Sequence, residues 1–159
     1  MESYVSRGGR NVVAGEVFHA WTSGDLPRMM RALSLRTNPI DRHHLLSQVV
    51  QLTYAKRTDP TFRRVCLDVG FQHLQEMPDL LAPVAADLGV VPRVPTFQPL
   101  ATVLAEHGRY ADAIEVCRRA LTLRLRDGTK GGFKGRIRRI EKQREKQREK
   151  AAKGATATS

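Results

Sequence analysis

Residues Thr96 to Arg126 read TFQPLATVLAEHGRYADAIEVCRRALTLRLR, and the order of small and large apolar residues in this stretch requires two antiparallel helices in close contact. Thr96 stands at an N-cap position, and Pro99 sits in the first turn, where a missing N–H costs little. Phe97, Leu100, Ala101 and Leu104 recur at helical spacing and share one face. Gly108 ends that helix where a left-handed residue is wanted. Tyr110 follows in the turn, and Ala113, Ile114, Cys117, Ala120 and Leu121 form the facing stripe. Small residues at 101, 113 and 120 let the two backbones approach, while the large ones fill the gaps on either side.

This spacing resembles a tetratricopeptide repeat, a helical hairpin of roughly 34 residues. Phe97, Leu100, Ala101, Leu104, Gly108, Tyr110, Ala113, Cys117 and Ala120 stand where that family's pattern wants its large, small, Gly and Tyr positions. Two residues depart from the pattern: Leu125 replaces the closing proline, and Cys117 is smaller than the usual aromatic. The resemblance covers about a fifth of the chain. Upstream, Gly24, Leu26, Met29 and Met30 repeat the spacing of Gly108, Tyr110, Ala113 and Ile114, and Asp41 to Leu74 has the length of a repeat without its residues. One unit cannot bury its own faces, so the neighbouring hairpins have to stack beside it. The expectation is an all-α fold, a short TPR-like solenoid with a C-terminal capping helix in which Phe133, Ile137 and Ile140 cover the last flank.

Outward from that unit, punctuation divides the chain. Residues 1–11 read as a flexible lead-in, 12–140 as the helical domain and 141–159 as a basic, solvated helical tail that frays to a disordered end. Val12, Val13, Glu16, Val17, Ala20 and Trp21 recur at helical spacing, Gly24-Asp25 closes that helix, and Asp25 caps the next. Asn38-Pro39 breaks the chain before a helix capped by Asp41 and lined by Leu45, Leu46, Val49, Val50, Leu52 and Tyr54. Asp59-Pro60 opens another helix. Met77-Pro78-Asp79 restarts a shorter segment as far as Leu88, and GVVPRVP (89–95) is an extended connector. No strand ladder and no Asn-Gly hairpin signal is read anywhere.

The 159 residues carry 27 Lys plus Arg against 16 Asp plus Glu, a formal net charge of +11. Arg124 to Lys153 holds 13 basic and 4 acidic residues, so the remaining chain is nearly neutral and the basicity belongs to the C-terminal fifth. Cys66 and Cys117 lie in apolar helical patterns with neither disulfide nor metal spacing, which points to a reducing, cytoplasmic setting and inert core thiols. No leader is read, and no run approaches the roughly 18 apolar residues of a membrane span.

Catalytic and cofactor signals are weak throughout. GTKGGFKG (128–135) lacks both the spacing and the preceding strand of a phosphate loop and reads as a joint between helices. His43 and His44 point about 100° apart on a helix and do not readily address one metal. His19, His73 and His107 read as isolated imidazoles, and no paired carboxylates argue for acid–base work. The chain therefore reads as non-enzymatic, without cofactor or metal.

The expected role is protein–protein interaction as a scaffold. The resemblance implies that groove residues come from the first helix of each unit, here Gln98, Thr102, Ala105 and Glu106. It also implies that a carboxylate clamp is absent, because Gln98 and Thr102 replace its Lys and Asn. The alternative partner is nucleic acid, met through Lys134, Arg136, Arg138, Arg139 and Lys142 at the root of a tail, RIRRIEKQREKQREK (136–150), that has no apolar residue after Ile140. In that tail Glu141, Glu145 and Glu149 each stand three residues from a base, which predicts weak internal pairs.

Overall fold

A computed structural model describes residues 2–157. It is mostly helical: seven helices follow a small N-terminal hairpin of strands β1 (Tyr4–Arg7) and β2 (Arg10–Val13). The expectation of an all-α chain is thus corrected. Tyr4 pairs with Val13, Val5 with Val12, Ser6 with Asn11 and Arg7 with Arg10. Gly8 and Gly9 both hold positive φ, 61° and 78°, the condition of a two-residue hairpin turn whose twist matches the strands. Val12 and Val13, read above as the start of a helix, belong to β2, and the segment read as a lead-in supplies the rest of the hairpin.

Helices α1 (Glu16–Ser23) and α2 (Leu26–Ala32) form the first helical pair, separated by Gly24 in the left-handed region. Asp25 caps α2 by accepting from the Arg28 N–H, as its position predicts. Helix α3 (Pro39–Ala55) is capped one turn earlier than expected. Asn38 accepts from the Asp41 N–H, which leaves Asp41 in the first turn with its carboxylate free for other partners.

Helix α4 (Pro60–Leu88) runs unbroken through Pro78 and Pro83, so the expected restart at Pro78 does not occur. A proline inside a helix leaves the carbonyl four residues back without its N–H. For Pro78 that carbonyl is Leu74's, and the Arg119 guanidinium donates to it at 3.2 Å. The missing bond is replaced from a neighbouring helix and the chain does not have to break.

Helices α5 (Phe97–Glu106) and α6 (Tyr110–Thr122) form the pair read from the sequence. Gly108 sits at φ 75°, and Ala101, Ala113 and Ala120 have no exposed surface. Gly70 of α4 lets Leu100 of α5 approach so closely that a Cβ there would meet the Leu100 Cδ1 at 3.1 Å. Helix α7 (Gly132–Ala157) closes the order, laying Phe133, Ile137 and Ile140 on the cluster formed by α4, α5 and α6. It stays helical to Ala157; residues 158 and 159, the last of the Ala-Thr-rich end expected to fray, lie outside the described residues.

The apolar interior has two lobes. One joins α1, α2 and α3 to Cys66, Val69 and Leu80 of α4, and the other joins Leu74 and Met77 of α4 to α5, α6 and α7. Leu67 packs against both lobes, and Val103 of α5 inserts into the first. Stacked helix pairs therefore share one continuous core.

Candidate functional site

Helix α7 leans on α6 through its apolar face and runs beside α5, and a cavity of about 480 Å³ opens between α5 and α7. Ala101, Ala105 and Ile140 make an apolar floor. Thr102 and Glu106 stand on one wall, with Arg136, Arg139, Lys142, Gln143 and Lys146 on the other. Two residue sets read from the sequence as rival sites thus meet in one groove. Thr102, Ala105 and Glu106 come from the expected partner-binding face, and Arg136, Arg139 and Lys142 from the expected anion contact.

The other candidates lie elsewhere. Gln98 lines a separate cavity of about 320 Å³ with Gln51, Arg93 and Phe133. Lys134 borders the glycine-rich joint before α7, and Arg138 is exposed.

Ion pairing decides the sign of the groove. Glu106 accepts from Arg57 Nε at 2.7 Å and Nη2 at 3.2 Å, and this hydrogen-bonded guanidinium holds its carboxyl below the usual range. Arg136 donates from Nε and Nη2 to Asp127 Oδ2 at 3.2 and 2.9 Å. Both charges are spent within the protein. Arg139, Lys142 and Lys146 form no ion pair among the described residues, so the open groove is basic. The internal pairs expected for Glu141, Glu145 and Glu149 do not form either: no ion pair among the described residues lies beyond Arg136.

Asp127 fixes the angle at which α7 leaves the body. Its Oδ1 accepts from the Thr129 N–H at 2.9 Å and hydroxyl at 2.6 Å, its Oδ2 holds Arg136, and its carbonyl accepts from Arg93 at 2.7 Å. Burial raises its pKa, but the bonds from Thr129 and Arg136 outweigh that and keep the carboxyl below its ordinary value. The glycine-rich joint is thus a fastened corner.

A polar chain hidden from the sequence crosses the core. His43 Nδ1 of α3 lies 3.0 Å from His73 Nε2 of α4, and His73 Nδ1 lies 2.7 Å from the Thr96 hydroxyl at the head of α5. Thr96 holds the N-cap position without capping, because its hydroxyl faces His73. Burial pushes His43 down to about 4, helped by His44, and His73 down to about 3, helped by His43, Arg42 and His44. Both rings are neutral at pH 7, and each tautomer order gives every link one donor and one acceptor. The chain pins three helices together. No local pattern announces it, since its members are 30 and 23 residues apart.

A second cluster holds the hairpin. Asp41 Oδ1 accepts from Arg7 at 2.8 Å and from the Trp21 indole at 2.9 Å, and Oδ2 accepts from the Asn38 amide at 2.7 Å. Burial raises the Asp41 pKa, and these three bonds more than reverse it. His44 stacks on Trp21 with centroids 4.6 Å apart, while His19 and His107 are exposed. Cys66 and Cys117 are free and buried, and burial pushes the Cys117 thiol up to about 11. Among the described residues no group of three or more His, Cys, Asp or Glu is placed to hold a metal ion, and no helix is long and apolar enough to cross a membrane.

These elements define a mostly helical protein of packed helix pairs with a basic groove between its last pair and its terminal helix. Comparison of the chain with protein-family models, curated proteins and solved structures finds no match.

Proposed function

We propose that the chain is a non-enzymatic, TPR-like scaffold of the cytoplasm that binds a segment of another protein in the groove between α5 and α7. The observation that carries this reading is the groove itself, a cavity of about 480 Å³ with an apolar floor of Ala101, Ala105 and Ile140 under a polar rim. A peptide helix or extended segment fits such a floor with a few side chains and is oriented by the rim. Further support comes from the α5 and α6 unit, whose small residues are fully buried where the repeat pattern wants them. The buried, unpaired cysteines suit a reducing compartment. The reading needs no cofactor.

Thr102→Trp tests it by filling the groove from a half-buried wall position. Proteins retained from the native host by the parent and lost by Thr102→Trp, but kept by a Phe71→Ala variant altered on the exposed face of α4, support the groove. Equal retention by both variants rejects it.

A further inference from the structure

The basic wall of the groove continues past the folded body. Going round α7 at about 100° per residue, Arg139, Lys142, Lys146, Lys150 and Lys153 fall within an arc of about 80°. Every residue between 139 and 153 that falls in this arc is basic, and Glu141, Glu145 and Glu149 all lie outside it. Phe133, Ile137 and Ile140, which hold the helix on the core, occupy another side. The five cations form a line about 21 Å long, from the rise of 1.5 Å per residue. All five are exposed, and none forms an ion pair among the described residues.

We infer that this line is a contact for the phosphate backbone of duplex nucleic acid, read without regard to base sequence. This activity differs in chemistry from the capture of a protein segment, although Arg139, Lys142 and Lys146 belong to both surfaces. A protein helix docking on α7 would need an apolar seam, and beyond Ile140 the helix offers only charge, Gln and small residues to Ala157. A polyanion needs no such seam. Duplex nucleic acid carries a charge about every 1.7 Å of its axis, and each cation that meets a phosphate releases condensed counterions. Lysines on flexible stems act as point charges and suit backbone contacts that set position and not sequence. Single strands are held largely by aromatic stacking, but past Phe133, which is buried in the core, α7 has no aromatic residue.

The test measures binding of a fluorescent 24-base-pair duplex by anisotropy across about 50 to 300 mM salt. Five contacts predict a log–log salt slope of magnitude about 4.5 for the parent, at roughly 0.9 per phosphate. K142Q/K146Q/K150Q removes three charges from the line. K134Q/R144Q/R148Q removes three from the opposite side of the same helix, leaving equal net charge. Circular dichroism confirms that both variants fold. The first triple variant is expected to lower the slope by about 2.7 and weaken binding at least tenfold at 100 mM salt, and the second to change the slope by less than one unit. Absence of duplex binding by the parent at 50 mM salt overturns the inference, as does equal loss in both triple variants. Polyglutamate or a single strand of matched charge binding as tightly as the duplex overturns it too, the former in favour of an acidic protein partner. Lys142 and Lys146 also stand on the groove wall, so the groove is read separately by Thr102→Trp, which leaves all five cations in place and is expected to keep the parent's salt slope for the duplex while losing the protein partners.

Discussion

Ala113 faces α5 with no exposed surface, and Ala101 and Ala120 are equally enclosed, so the approach of α5 to α6 is limited by three methyl groups. Ala113→Leu inserts bulk where the backbones are closest and is expected to destabilise the fold by about 1–3 kcal/mol in urea denaturation. A midpoint equal to the parent's would show that the contact is loose. These alanines were legible because a small residue at helical spacing among large ones has one packing meaning. The corresponding upstream residue shows the limit of that logic: Met29 is also fully buried, yet Met30 is 37% exposed where Ile114 is only 3% exposed. His73 was not legible at all. Its partners come from two other helices, and a histidine among apolar neighbours looks the same in sequence whether or not a second imidazole waits 3.0 Å away.

Helix α4 does not break at Pro78, because a helix end is decided by whether the freed carbonyl finds another donor. At Leu74 the donor is Arg119 of α6. Arg119→Ala is expected to cost about 1 kcal/mol in the parent, the net worth of one hydrogen bond. In a Pro78→Ala background the restored N–H serves Leu74, and the same change is expected to cost only a few tenths. Equal costs in the two backgrounds, measured by denaturation, would mean that Arg119 does not stand in for the missing bond. The hairpin at the other end of the chain is the converse case. Gly8-Gly9 forms a two-residue turn in which both residues adopt positive φ without strain, but before it only Val5 is β-branched. In the sequence, residues 1–11 read as a polar lead-in and Val12 and Val13 go with the following helix, because their spacing to Glu16, Val17 and Ala20 is helical. What makes the hairpin hold here is docking: Arg7 reaches Asp41, and the Gly8 N–H donates to Asp87 at 2.8 Å.

Across the whole molecule, the polar chain through the core ties stability to pH. His43 and His73 titrate at about 4 and about 3 when folded, against 6.5 as the ordinary value, so below pH 6.5 the unfolded chain binds protons that the folded one refuses. Stability is complete above about pH 7 and falls as pH drops toward 4, by up to about 1.4 kcal/mol per unit for each histidine. Below that, protonation of Asp41, Glu76 and Asp127, all held below their ordinary values, deepens the loss. Urea midpoints at pH 7, 6 and 5 are expected to fall steadily in the parent and to flatten in a His43→Leu/His73→Leu/Thr96→Val variant that removes the chain. An unchanged slope in that variant would place the titration elsewhere. The division between what was readable and what was not follows from range. Helical periodicity, caps and the apolar faces of α5, α6 and α7 act over three or four residues, so local order alone determined most of the helices, the close pair at 97–122 and the basic C-terminal helix, but not the continuity of α4 through Pro78. The convergence of Thr102 and Ala105 with Arg139 and Lys142, the neutralising of Glu106 by Arg57 and of Arg136 by Asp127, and the His43–His73–Thr96 chain were decided only in the tertiary structure. Most of these contacts join residues more than 20 positions apart, and their energies depend on burial and on which partner arrives, neither of which a one-dimensional pattern carries.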